Sequence, residues 1–229
     1  VQTCALPILN PALPYEPASQ FTPLALLATD VMGLLVKNEL PAKSIGEVIA
    51  LAKAKPGVLF YASPGNGTPQ HMSMEFLKME TGTNIVHVPY KEQSGALADL
   101  VAGRANLMIN SVPNLQRQID AGKLRLIAML SADRVPTAPS IPTLRESGYP
   151  NLQSSLWYGM LGPAGLPTDI SARLNREINS ALDNAELRSL YEKTGLTQGG
   201  GSPERFAEWL RAELQRWPRV VAQTGIKPD

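Results

Sequence analysis

The residues of this chain best suited to chemistry lie together in Ser63-Pro64-Gly65-Asn66-Gly67-Thr68-Pro69-Gln70-His71. They follow a strand-like run, Val58–Ala62, and open a helix-like run that begins near Pro69. A strand, a tight glycine turn and a helix start, in that order, leave backbone N–H groups unpaired at the positive end of a helix dipole. Gly65 and Gly67 permit the backbone shapes such a turn needs. Thr68 is a helix cap, and Pro69 suits the first helical position, where an N–H is not required. The expected chemistry is recognition of an anionic group such as a carboxylate, by Ser63, Gly65, Asn66, Gly67, Thr68, Gln70 and His71. A plainer reading stands beside it: short strand-to-helix loops carry Gly, Asn and Thr because the turn demands them. His71, likewise, is either a ligand contact or an ordinary first-turn residue. Two further loops favour binding, Val88–Ser94 with Tyr90 and Lys91, and Asn110-Ser111. Both follow strands, at the carboxyl edge where open α/β sheets gather ligands. Tyr90 closes over a ligand or packs on its loop, and Lys91 is a contact or a solvated charge. Asn110 and Ser111 bind the ligand or cap the next helix.

Catalytic readings fit less well. Tyr61-Ala62-Ser63-Pro64-Gly65 sets a serine at a strand-to-helix turn, as in a nucleophile elbow. The residue after such a serine must donate an N–H to the oxyanion, and Pro64 has none. Tyr61 also stands where a glycine is wanted. The histidines are His71 and His87, and the acids between Ser63 and His87 are the helix residues Glu75 and Glu80. A serine hydrolase using Ser63 is therefore the alternative, and no catalytic residue is expected. Gly67 is followed by Thr68 without lysine, so there is no P-loop, and the dinucleotide fingerprint fails at Gln70. No metal-ligand spacing surrounds either histidine. Neither metal nor cofactor is expected.

A chain of 229 residues suits one large domain or two modest ones. Its hydrophobic share of 44% and charged share of 18% are those of a globular protein. A net charge of +1 gives no footprint for nucleic acid or an anionic membrane. Apolar runs such as Val31–Val36 fall far short of the roughly 20 residues of a spanning helix. The single cysteine, Cys4, excludes an internal disulfide and a thiolate cluster. Val1–Ile8 resembles the translated end of a sequencing-library adapter. Residues 1–8 are thus expected to be non-native, with an upstream portion and any leader missing.

Pro11 to Pro23 is proline-rich and reads as extended. Leu24–Ala28 and Leu34–Lys37 read as strands separated by Thr29-Asp30 and Gly33. Then helices (Ser44–Ala54, Pro69–Thr81, Ser94–Ala102, Pro113–Asp120) alternate with strands (Val58–Ala62, Ile85–Val88, Asn106–Asn110, Leu124–Leu130), which predicts a parallel sheet covered on both faces. Val135–Pro150, with four prolines, reads as a linker or surface loop. Ser154–Leu161 reads as a strand with Trp157 and Tyr158, followed by helices over 168–182 and to Tyr191. Gly199-Gly200-Gly201 reads as flexible. The last amphipathic helix starts at Ser202-Pro203-Glu204, carries Phe206, Trp209, Leu210 and Leu214 on its apolar face, and is expected to kink or stop at Pro218. The best division is an α/β unit over 37–125, flanked by segments forming a second, incomplete unit.

Several motifs carry a family resemblance. They include Leu40-Pro41-Ala42-Lys43-Ser44, Tyr61–Thr68, Gln70-His71, His87-Val88-Pro89-Tyr90-Lys91, Ala121–Arg125, Ser155–Gly159 and Gly225-Ile226-Lys227-Pro228. In order and spacing the chain resembles the Bug-type substrate-binding proteins of tripartite tricarboxylate transporters from about Asn10 onward. The resemblance implies a periplasmic, two-domain flytrap of α/β class, without catalysis. Its incomplete first domain would comprise 9–36 and 126–229, and its second 37–125. It implies a small organic anion as ligand, the transporter's membrane subunits as partners, no nucleic acid, no membrane insertion and a monomer. The resemblance implies that the family's first strand and opposing ligand loop lie in an expected missing upstream portion, so weak or absent binding by this chain alone is expected. Apolar sheet positions in 130–229 would also be left exposed. Glu92 stands where the family usually has glycine, Asn110 replaces a frequent aspartate, and Pro218 replaces a common glycine.

Overall fold

The computed structural model describes residues 15, 16 and 19–226, so the adapter-like residues 1–8 and Cys4 lie outside the described part. The chain forms two compact units. One contains the described residues through Asp30 with Leu156–Ala222, and the other Val31–Ser155 with the described residues 223–226. Strand β1 (Phe21–Lys37) is continuous, where the sequence suggested two runs broken at Thr29-Asp30 and Gly33. Asp30 lies within it, 5% exposed.

The second unit begins with α1 (Ile45–Ala54). Ser44 Oγ accepts the Glu47 N–H, and Ile45, Val48, Ile49 and Ala52 are buried at the expected helical spacing. There follow β2 (Phe60–Ser63), α2 (Pro69–Thr81), β3 (Val86–Pro89), α3 (Gln93–Val101) and β4 (Leu107–Ser111). A 3-10 turn at Pro113–Leu115 leads into α4 (Gln116–Asp120) and β5 (Leu124–Met129). In α2 the buried methionines are Met72 and Met74, while Met79 is half-exposed. Gly82 ends α2 in the left-handed conformation (φ 61°), a shape that favours glycine.

The strand order is β3-β2-β4-β1-β5. β2 runs parallel to β3 and β4, but β1 is antiparallel to both β4 and β5, so the sheet is mixed rather than parallel. Strand–helix alternation reports only the parallel part. β1 precedes that alternation, and its direction has no local signal. Gly33 lies between β4 and β5, where an added Cβ would sit 2.4 Å from Leu126 Cδ1.

The proline-rich stretch after β5, assigned from sequence to the first domain, belongs to this unit. Met129 N–H donates to Pro142 O (2.9 Å), Leu144 N–H to Met129 O (2.8 Å) and Ser154 N–H to Leu130 O (3.0 Å). Thr143 and Leu144 are buried. Prolines lack donors but accept normally, so the segment is stitched along β5 instead of crossing away.

In the first unit, β6 (Ser155–Pro163) and the short β7 (Leu196–Gln198) pair with β1. α5 (Thr168–Leu182), α6 (Ala185–Thr194) and α7 (Pro203–Thr224) complete it. Phe206 is 1% exposed and lies against Gly159, where an added Cβ would meet its ring at 2.1 Å. α7 continues six residues past Pro218, with Trp217 and Val220 buried on either side of it. Packing at both flanks holds the helix where the proline removes one hydrogen bond. Among the described residues of 130–229 the exposed large apolar side chains are Tyr158 and Met160 on β6 and Ile170, Leu174, Leu190 and Trp209 on helices. α6 buries no residue.

Candidate functional site

Strand β2 ends at Ser63, and Pro69 opens α2 six residues further along the glycine loop. Thr68 is extended (φ −67°, ψ 153°), and its Oγ1 accepts the His71 N–H (3.4 Å) while donating to Gly65 O (2.8 Å). This is the cap anticipated from sequence. Thr68→Ala is expected to cost about 1 kcal/mol, read as a shift in the denaturant midpoint; an unchanged midpoint would mean the loop holds α2 without it.

The loop's amides are not free, which corrects the sequence expectation. Gly65 N–H donates to Ser63 Oγ (3.2 Å), and Gly67 N–H donates to His71 Nδ1 (3.0 Å). Ser63, Gly65, Gly67 and His71 are buried, and Asn66 and Thr68 half-buried. The loop thus satisfies its own backbone groups, as buried amides must. Gln70 differs: it is 8% exposed, and its side-chain amide has no hydrogen-bond partner among the described residues. Its polar atoms are not among the enclosed unpaired ones, so they stay open to water or to a ligand.

Beneath the loop lies a cluster that sequence reasoning did not assemble. Tyr61, His87 and His71 stack, with centroids 4.6 Å apart for Tyr61–His87 and 4.0 Å for His71–His87. Tyr61 OH donates to Glu75 Oε1 (2.5 Å), which also binds Lys78 Nζ (2.6 Å). Burial first, and then the Glu75 charge, pushes the Tyr61 phenol far above its ordinary range. The parallel register Tyr61↔His87 sets the two rings side by side, a long-range pairing with no local sequence signal.

His87 Nε2 lies 2.6 Å from Ser63 Oγ, the distance of a nucleophile–base pair. Ser63 is 0% exposed, however, and its hydroxyl also bonds both backbone groups of Gly65. It braces the turn and has no path to an ester, so the geometry gives the hydrolase alternative no support.

The other predicted residues separate. Tyr90 N–H donates to Ser63 O (3.0 Å), which joins the two loops. Its side chain turns to Asp99, whose carboxylate accepts the phenol O–H. Burial, with that bond, raises the Tyr90 phenol to about 12. Asp99 is lowered by its hydrogen bond from Arg104 and then by that from Tyr90. Through this bond the Tyr90 side chain is tied to α3. Lys91 is exposed. Asn110 is buried: Oδ1 accepts the Ser111 N–H (2.8 Å) and Nδ2 faces Met108 S (3.3 Å). Asn110 and Ser111 are the last two residues of β4, and both are buried. Among the described residues no group of three or more His, Cys, Asp or Glu is arranged to hold a metal, and no helix is long and apolar enough to cross a membrane.

Comparison with known proteins places this geometry in a family. A model described as the tripartite tricarboxylate transporter family receptor matches residues 2–226. Protein BugT of Bordetella pertussis is 32% identical over 219 residues, covering 96% of this chain and 67% of BugT. The chain spans about two thirds of the length of the curated relatives it matches. Among solved structures, R. palustris Rpa4515 with adipate is 34% identical at a TM-score of 0.79, over 94% of this chain and 72% of that one. MatC from Rhodopseudomonas palustris with bound malate is 30% identical at a TM-score of 0.79, over 95% of this chain and 75% of that one. The α/β fold is that of the two-domain periplasmic binding proteins of this type. The chain belongs to the tripartite tricarboxylate transporter receptor family.

Proposed function

We propose that this chain is the greater part of a periplasmic receptor that binds a small di- or tricarboxylate, without transforming it, and hands it to membrane transport subunits. Family membership supports the receptor role, and the adipate and malate held by Rpa4515 and MatC support the ligand class. The observation in this chain that carries the reading is Gln70. The residue is 8% exposed at the start of α2, and its solvent-reaching side-chain amide has no partner among the described residues. A carboxylate oxygen would accept its N–H beside the positive end of the helix. The site residues then narrow to the loop Ser63–His71, with Gln70 touching the ligand and Ser63, Gly65, Gly67, Thr68 and His71 shaping the turn.

Titration calorimetry of the chain, and of the full-length gene product, against malate, adipate and citrate tests this. Heat with at least one of them is expected, reduced about tenfold in affinity by Gln70→Ala. No heat and no thermal shift with any carboxylate would remove the ligand class.

A further inference from the structure

Helix α2, which carries Gln70, is gripped by side chains from two other parts of its unit. Glu75 Oε1 accepts the Tyr61 O–H of β2 (2.5 Å). Ser73 Oγ donates to Ser154 Oγ (2.8 Å), across 81 residues of chain. Ser73 is 3% and Ser154 7% exposed, so water is a poor substitute for either partner. Two residues of helix turn through about 200°. The two ties therefore hold α2 on nearly opposite sides and fix its rotation about its own axis. The bonds of Thr68 to Gly65 and of Gly67 to His71 cannot do this, because they join α2 to a loop that moves with it.

Ser154 belongs to a longer strap. Asn151 Nδ2 donates to Glu80 Oε2 (3.4 Å) near the other end of α2, and Leu152 between them is buried. From Ser73 to Glu80 the helix rises about 10.5 Å, and three residues of extended chain span about 10 Å. The match lays 151–154 along one stripe of α2, against the helix direction. Ser154 N–H donates to Leu130 O (3.0 Å), which anchors the strap just beyond β5.

Gln70 and Ser73, three residues apart, are neighbours on the helix surface. Deprived of Ser154 Oγ, the Ser73 hydroxyl would turn to the Pro69 carbonyl four residues back, a bond that bends helices. The bend would fall in the turn that holds Gln70.

We propose that Ser154 is a positioning residue: through Ser73 it sets the rotation of α2, and so aims the Gln70 amide at a carboxylate. The second half rests on the carboxylate reading above.

The test follows the Gln70 side-chain amide resonances of the isotope-labelled full-length gene product without ligand, assigned by their loss in Gln70→Ala, alongside malate calorimetry. Ser154→Ala and Ser73→Ala should each shift those resonances and weaken malate binding about tenfold, and the double variant should lose no more than either single one. Ser154→Thr, which keeps the hydroxyl, should hold both readouts near those of the parent. Asn151→Ala removes only the exposed bond to Glu80 and should leave both unchanged. Unmoved Gln70 resonances in folded Ser154→Ala would overturn the positioning, whatever malate does, and so would additive losses in the double variant. Shifted resonances with parent-like malate affinity would overturn the aim at the ligand alone. A parent that binds neither malate, adipate nor citrate would remove the second half together with the receptor reading, and the resonances would still decide the first.

Discussion

Gly199→Ala is expected to destabilise the first unit by about 3 kcal/mol. An added Cβ would lie 2.3 Å from Leu26 O, with the carbonyl carbons of Leu26 and Leu27 at 2.7 and 2.8 Å. The obstacles are backbone atoms of β1, so no rotamer change relieves them. Moving the chain aside would break the contacts that place it there. Gly199 N–H donates to Leu27 O (2.9 Å) and Gly200 N–H to Leu26 O (2.7 Å). These extend the antiparallel register Ala28↔Gln198, Thr29↔Thr197, Asp30↔Leu196. Chemical denaturation followed by circular dichroism and by tryptophan fluorescence measures the effect. Gly46→Ala is the control: it is in α1, its Cβ would meet only Ser44 Oγ at 3.9 Å, and it should be neutral or slightly stabilising. Equal midpoints for the two variants would show that the β1–β7 crossing does not hold the unit together.

That crossing also shows where sequence reasoning reaches its limit. Three consecutive glycines read as flexible because glycine tolerates many conformations. Here Gly200 (φ 101°) and Gly201 (φ 97°) do use that freedom, but Gly199 is required because two backbones pass closely. Composition cannot distinguish the two causes. Local chemistry was legible: the Ser44 and Thr68 caps, the Gly82 stop and the apolar face of α1 all act within four residues of themselves. Long-range pairing was not. Nothing near β1 announces that it runs antiparallel to β4 and β5, nor that residues 130–155 stay on the second unit. The site divides in the same way. The loop and its cap were readable, whereas the bonds that occupy the Gly65 and Gly67 amides depend on Ser63 and His71 side-chain positions. The stacking of His87 on His71 needs β3 beside β2, a contact across more than twenty residues.

Gly65→Val should abolish carboxylate binding, a loss of at least about a hundredfold, while costing about 2 kcal/mol of stability. Gly65 has φ +136°, a conformation that L side chains rarely adopt, and its Cβ would press on Tyr90 O at 3.3 Å. Four hydrogen bonds converge on this residue: its carbonyl accepts from Thr68 Oγ1 (2.8 Å), Ser63 Oγ (3.1 Å) and the Thr68 N–H (3.5 Å), and its N–H donates to Ser63 Oγ (3.2 Å). A β-branched residue would relax toward negative φ and swing that carbonyl away. Thr68 and Ser63 would lose their common acceptor, and the start of α2, with Gln70 on it, would shift from the place where the solute is held. The fold should survive, because the strand and helix on either side are anchored by Tyr61, Met72 and Met74, each no more than 2% exposed. The full-length gene product should therefore keep its far-ultraviolet circular dichroism and lose its calorimetric response to malate. A Gly65→Val protein that binds malate as the parent does would mean that the ligand is held by some other wall, and that Gln70 is unpaired for a reason unrelated to the solute.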